Sequence, residues 1–331
     1  MGINIGAVLK LHQQFTSLRL QQISSKIKLM LTRQHKGWIA FEFRDDMVFA
    51  AAIKLNKHGQ AEVLKVGQAA VALDDSGSLA NFAKAFPYPD FSRVCLLPRG
   101  AYDKFVLSKP QVKHEEVGNS LKWEIATSID YPIQDAIVNW SELPIDEVGP
   151  DKINKCLVIV SKNSQINQWV NYFSRSGLIL HAVDVPESSH RNIAHLFHHA
   201  EPEGVFLVVP ESRGVQLSLT WKGRLILDRF LPTWVSFDDQ TNRAERVAFQ
   251  VHRTIVSIAR NYPSIVLSKV YVAGWEGGHA VQEHLANIMG DLSVEMLNLG
   301  DLFVEGLNSQ VNSDEVFGQY FNVLGAAMRF I

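Results

Sequence analysis

The apolar positions of this chain fall into strand-length runs grouped in threes, and the same group of three occurs twice. "WIAFEF" (38–43), "MVFAAAI" (47–53) and "AEVLKV" (61–66) are separated only by the turn-like "RDD" and "NKHGQ". Strands this close in sequence pair antiparallel, so the first group is a meander. A helix-spaced segment, "SLANFAKAF", and a buried strand, "RVCLL" (93–97), follow it. The second group is "GVFLVV" (204–209), "GVQLSLTW" (214–221) and "RLILDRFL" (224–231), with a tight turn at Lys222-Gly223. A long amphipathic helix over about 240–260 follows, with Val247, Val251, Ile255 and Ile258 on one face. Then come the strand "VYVAG", a turn containing Gly274, Gly277 and Gly278, and a helix from Ala280 onward. A meander followed by alternating helices and strands, used twice, implies two mixed sheets covered by helices with a cleft between them.

The middle of the chain has a different texture. "YDKFVLSKP" (102–110) is a strand ended by proline. "KHEEVGNSLKWEIATSI" (113–129) is a helix with Val117, Leu121, Ile125 and Ile129 in line, and "DAIVNWSELP" (135–144) is a strand. The strand "KCLVIV" (155–160), a helix capped by Ser164 and stopped by Gly177, and the strand "LILHAVDVP" come next.

Composition narrows the class of protein without naming a function. At 331 residues, 47% hydrophobic and 20% charged, the chain has room for more than one domain. A formal charge of −2 gives no general reason to expect nucleic acid as a partner. Cys95 and Cys156 sit in apolar runs and read as buried thiols of a reducing compartment. No apolar run reaches the length of a membrane span. Residues 1–36 stand apart, with Lys10, Arg19, Lys26, Lys28, Arg33 and Lys36 and no acidic residue. Two readings stay open for them: a basic amphipathic helix for an anionic surface or partner, or a loosely ordered leader ahead of a start at Met30.

The stretch 96–144, "LLPRGAYDKFVLSKPQVKHEEVGNSLKWEIATSIDYPIQDAIVNWSELP", is similar to the inserted subdomain of the PilM-like proteins of type IV pilus assembly. "SGLILHAVDVPESSHRNIAHLF", "VYVAG" and "YFNVLGAAMR" resemble further segments of that family, nearest to its mannose-sensitive haemagglutinin (MSHA) pilus branch. The resemblance implies an α/β, duplicated actin-like (RNase H-like) fold with an inserted FtsA/PilM-type subdomain. Residues 37–102 and 151–203 would form the first half, 103–150 the insert, and 204–331 the second half. It further implies a scaffold at the inner face of the cytoplasmic membrane. That scaffold would bind the cytoplasmic peptide of a bitopic inner-membrane protein of the PilN/MshJ kind, with a pilus assembly ATPase as a further candidate partner. In the terminal helix, Gly325, Ala326 and Ala327 would let two helices cross closely where the halves join.

A working cleft of this fold presents two Asp-x-Gly hairpins to the nucleotide, glycine admitting the phosphates and aspartate holding Mg²⁺ through water. The first hairpin here is Glu42-Phe43-Arg44-Asp45-Asp46, without glycine, and Phe43 and Arg44 would fill phosphate space. The second is Pro210-Glu211-Ser212-Arg213-Gly214, where proline removes an N–H donor. Gly274, Gly277 and Gly278 keep the glycine-rich turn of the adenosine side. The expectation is therefore a degenerate nucleotide cleft with neither enzymatic activity nor a metal. The alternative is an ATP-binding switch in which Arg44 and Arg213 replace the metal as phosphate clamps.

Other constellations are weaker. His190, His195, His198 and His199 read as a solvated polar face, although His195 and His199 have a metal-compatible spacing. Glu115 and Glu116 suit a first helical turn, and the scattered tryptophans, Trp123, Trp140, Trp169 and Trp234 among them, read mostly as core. No Ser–His–Asp set, CxxC pair or Walker-type loop occurs.

Overall fold

A computed structural model of the chain describes residues 3–4, 36–145, 149, 153–197, 203–211, 214–232, 240–274, 278–303 and 318–329. Most of the basic leader lies outside the described residues, as do Arg213, Gly277, Trp234, His198 and His199.

Both meanders form as the apolar pattern dictates. The first is β2 (Trp38–Arg44), β3 (Met47–Leu55) and β4 (Ala61–Ala70). It is extended by β5 (Ser92–Leu96), β9 (Ala182–Asp184) and the short β1 (Ile3–Asn4) into a sheet of order β1-β9-β5-β2-β3-β4. The second is β10 (Val205–Glu211), β11 (Gly214–Trp221) and β12 (Arg224–Pro232). Its sheet runs β12-β11-β10-β13-β14, completed by β13 (Lys269–Ala273) and β14 (Ser293–Leu297). In each sheet the meander is antiparallel and its first strand begins a run of parallel pairings, β2 to β5 to β9 and β10 to β13 to β14. The two halves thus share one topology. Lys222 and Gly223, at φ 49° and 68°, make the left-handed two-residue turn that matches strand twist in the second meander.

Helices stack these sheets into layers. Against the outer face of the first sheet lie α1 (Ser76–Ala83) and α3 (Asn163–Arg175). Asp75 starts α1 by accepting the Gly77 N–H at 2.8 Å. Gly177, at φ 71°, stops α3 as expected, but Ser164 is not its cap, because the helix already begins at Asn163 with Lys162 in the cap position. Against the outer face of the second sheet lie α5 (Gln240–Asn261) and α6 (Gly278–Met289). Between the sheets sit α4 (Pro186–Ala194) and α7 (Phe321–Ala327), in a core that draws Ala40, Phe49 and Leu96 from one half and Leu207, Val209 and Ala273 from the other. Phe41, Phe173, Phe206 and Phe321 are each less than 2% exposed, and burying each such side chain contributes roughly 2–3 kcal/mol.

Helices α4 and α7 cross with their backbones in contact at Gly325 and Ser189. A Cβ at Gly325 would stand 2.4 Å from the Ser189 carbonyl oxygen and 2.7 Å from the Ser189 Cα. Asn192 uses the same approach to donate to the Gly325 carbonyl at 2.9 Å.

A third sheet, β6-β8-β7, projects from the first half, built from β6 (Asp103–Ser108), β7 (Ala136–Glu142) and β8 (Lys155–Lys162). Helix α2 (His114–Glu124) covers it. The expected boundary at residue 150 is corrected here, since β8, assigned by sequence to the first half, is the central strand of the small sheet. Period-two alternation explains the error. Cys156, Val158 and Val160 face α2, whereas Leu157 and Ile159 face the core under the first half, so one apolar run serves both. Trp123, on α2, is 67% exposed and does not belong to the core.

Candidate functional site

The two hairpins expected to face a nucleotide do face one cavity. Glu42, Arg44 and Asp45 of the first hairpin and Glu211 of the second line a cleft of 310 Å³ between the halves, with Arg99, Phe230 and Asn322. Asp45 turns the first hairpin at φ 53° without a glycine. Phe43 does not fill phosphate space as expected. It borders the cleft, but its ring packs on Trp169 at 4.8 Å and Tyr172 at 5.8 Å.

Arg44 is folded back over its own meander and against the segment before α7. Its guanidinium lies 3.6 Å above the Phe49 ring, reaches the Glu42 carboxylate at 3.4 Å, and donates to the Gln319 carbonyl. Glu42 is buried and in turn accepts from Asn322 at 2.9 Å. Burial pushes the Glu42 carboxyl above its ordinary range, while Arg44 and Asn322 pull the other way.

The residue that spans the cleft is Arg99, from the loop after β5. Its Nε and Nη2 hold the two oxygens of Glu211 at 2.6 and 2.5 Å, and Nη2 also reaches Gln216 Oε1 at 2.8 Å. Nη1 lies 3.6 Å from Glu187, and the guanidinium stacks 4.8 Å from the Phe230 ring centroid. Burial works against the charge of Arg99, but Glu211 and Glu187 overcome it and raise its pKa further.

A second cation closes the seam from the small sheet. Lys104, on β6, holds Glu187 at 2.6 Å and pairs with Asp228 on β12. Tyr102 donates to Glu187 at 2.7 Å, and Gln216 donates to Asp228. Glu187 is 2% exposed, at the start of α4, where the helix N-terminus favours a negative charge. Burial opposes its ionisation, yet Lys104 and Arg99 hold its carboxyl below the ordinary range. Asp228 goes the other way, raised to about 7 by burial and by the charge of Glu187. Two arginine- or lysine-centred bridges therefore join all three sheets.

Helix α4 is where sequence reading erred most. His190 is buried, not solvated, with Nδ1 3.0 Å from Ser218 Oγ, and burial lowers its pKa to about 3, so the ring is neutral. His195 packs under the Lys222-Gly223 turn, where a Gly223 Cβ would meet its Cε1 at 2.9 Å. Among the described residues no cluster of three His, Cys, Asp or Glu could hold a metal ion.

The glycines have packing roles. Gly214 is needed because a Cβ there would meet the Leu231 carbonyl oxygen at 2.2 Å. Gly278 is buried at the start of α6. A Cβ at Gly318 would stand 1.8 Å from the Gly274 carbonyl oxygen, so the segment before α7 lies directly against the adenosine-side turn. Arg44 is thus in the cleft but engaged, Gly214 and Gly274 are packed against backbone, and Arg213 and Gly277 lie outside the described residues. These residues do not fit a Mg²⁺-bound triphosphate. The glutamates of the two hairpins, Glu42 and Glu211, are already paired with Arg44 and Arg99, and neither hairpin has an Asp-x-Gly. Sequence reasoning missed Arg99, Lys104, Glu187 and Asp228. The available signals were an Asp inside the apolar strand "RLILDRFL" and a strongly polar helix entered directly from a buried strand.

No protein-family model and no curated protein sequence matches the chain. Solved structures do. A PilM–PilN type IV pilus biogenesis complex aligns over 88% of this chain and 98% of its own, with TM-score 0.65 at 14% identity. The cytoplasmic domain of EpsL, an inner-membrane component of the Vibrio cholerae type II secretion system, aligns over 71% and 81% with TM-score 0.45 at 10% identity. A Bacteroides thetaiotaomicron protein with an actin-like ATPase fold aligns over 81% and 93%, with TM-score 0.45 at 9% identity. With two halves of one topology flanking a cleft, the fold is actin-like.

Proposed function

We propose that this chain is a non-catalytic scaffold of a type IV pilus assembly platform, of the MSHA kind served by MshI, at the inner face of the cytoplasmic membrane. The observation that carries the reading is the Arg99–Glu211 bridge, with the Lys104 bridge beside it. Where an active member of the fold would bring its halves together on a nucleotide and metal, this chain uses its own side chains. The likeness to a PilM–PilN complex supports the platform assignment and a partner of the PilN/MshJ type. Among the described residues no helix is long and apolar enough to cross a membrane.

The partner's cytoplasmic peptide has a candidate seat beside the root of the small sheet. A groove of 740 Å³ runs between α3 and the loop after β4, lined by Leu73, Pro98, Gln165, Gln168, Trp169 and Tyr172. Apolar walls with amides beside Arg175 suit an extended peptide, since the amides can pair with its main chain. Titration of the purified chain with the N-terminal cytoplasmic peptide of the bitopic pilus protein tests this. Saturable binding supports the scaffold, and no binding to any such peptide removes it. A pilus assembly ATPase would be a second partner.

A second reading is an ATP-binding conformational switch with weak or no hydrolysis. In its favour, Arg44 and Arg99 both line the 310 Å³ cleft. Against it, both guanidinium groups already have acceptors.

A further inference from the structure

The outer face of α5 carries a stripe that neither the cleft nor the peptide groove explains. Arg246, Phe249, Arg253, Val256 and Arg260 follow one another by alternating steps of three and four residues, which puts them on one side of the helix. All five are exposed, Phe249 at 52% and Val256 at 55%. The opposite side is fixed, with Val247, Val251, Ile255 and Ile258 buried on the second sheet, so the stripe must face away from the body. Glu245, at the edge of the stripe, is the only acidic residue in a helix that carries four arginines. Arg229 lies alongside, donating to Thr254 at 2.7 Å and Gln250 at 3.0 Å, and adds a guanidinium to the flank.

This arrangement selects among partners. A coiled-coil seam would need apolar residues at both of its repeating positions, whereas here one of the two is arginine every time. Phosphates alone would not call for Phe249 and Val256 between the cations. An anionic lipid surface uses both features, because guanidinium groups pair with lipid phosphates while short apolar side chains enter the boundary between headgroups and acyl chains. The sign of the face is opposite to that of the chain as a whole, which is −2.

We propose that α5 rests on the anionic phospholipid of a bilayer through this stripe, giving the protein a lipid contact of its own. The inference does not rest on the peptide reading, and the protein alone suffices to test it. The full chain is floated with mixed phosphatidylcholine–phosphatidylglycerol vesicles and with phosphatidylcholine vesicles, at low and high salt. It should float with the anionic vesicles only, and less at high salt. The double variant Arg253→Glu/Arg260→Glu, with its fold verified by circular dichroism, should bind about tenfold more weakly, since each cation near such a surface contributes separately. Phe249→Ser should weaken binding at both salt concentrations. Absence of flotation with anionic vesicles, equal flotation with neutral ones, or unchanged binding by the double variant (which keeps the basic leader) would each overturn the proposal.

Discussion

Arg99 and Glu211 form a two-point ion pair across the cleft, Nε to Oε2 at 2.6 Å and Nη2 to Oε1 at 2.5 Å. One partner comes from the loop after β5 and the other from the end of β10, so this contact ties the two halves of the fold directly. It lies where the second hairpin of a working cleft would meet phosphate. The same pair thus bears on the stability of the joined halves.

Removing Arg99 should therefore be costly. Arg99→Ala leaves Glu211 without its cation and the buried Glu187 with Lys104 alone, and should lower stability by about 3 kcal/mol in urea unfolding. Arg99→Lys should recover only part of that, because a point charge cannot make the two parallel bonds.

The Lys104 bridge predicts a pH dependence of definite sign. The folded chain keeps a proton on Asp228 up to about pH 7, whereas the unfolded carboxyl loses it near its ordinary value of about 4. The stability that Asp228 contributes is thus fullest below that ordinary value and is lost as pH rises through 7. The raised Glu42 acts in the same direction, and the lowered Glu187 acts oppositely but below the ordinary range. Between about pH 5 and 7 the Asp228 contribution should fall by on the order of 2 kcal/mol, while the buried neutral His190, held at about 3, adds a rise of similar size in the same window. Asp228→Asn, which mimics the protonated acid, isolates the first effect and should gain on the order of 2 kcal/mol relative to wild type between the two pH values. Unfolding curves at the two pH values check it.

Gly325→Ala should destabilise although alanine is the better helix former by about 1 kcal/mol. The new methyl would fall on the backbone of Ser189, which cannot turn aside, so a net loss of about 2 kcal/mol is expected. Thermal unfolding of the single variant is sufficient, and a neutral result would show that α4 and α7 can part at little cost.

The peptide groove predicts a separation of effects. Leu73 is 51% exposed, so Leu73→Glu should leave stability within about 0.5 kcal/mol of wild type. The same change puts a charge on the apolar wall and should weaken the partner peptide at least about tenfold, read by titration.

The fold was legible where burial is written in apolar residues. Both meanders, the long helix with Val247, Val251, Ile255 and Ile258, and the close crossing at Gly325 all follow from spacing and size. What escaped was burial achieved by pairing. Helix α4 buries Glu187, Ser188, Ser189, His190 and Asn192, and no hydropathy pattern marks such a helix as central. Its partners, Arg99, Lys104 and Asp228, are far apart in sequence and meet only through the topology. The boundary at 150 failed for a related reason, because β8 is apolar on both faces and the sequence does not say which sheet it completes.

Isothermal titration of the purified chain with ATP, with and without Mg²⁺, tests most directly the claim that the cleft is held by its own ion pairs. The account predicts no heat of binding in either condition. Saturable, Mg²⁺-dependent binding would contradict it, and would mean that Arg44 and Arg99 release Gln319 and Glu211 to take phosphate instead.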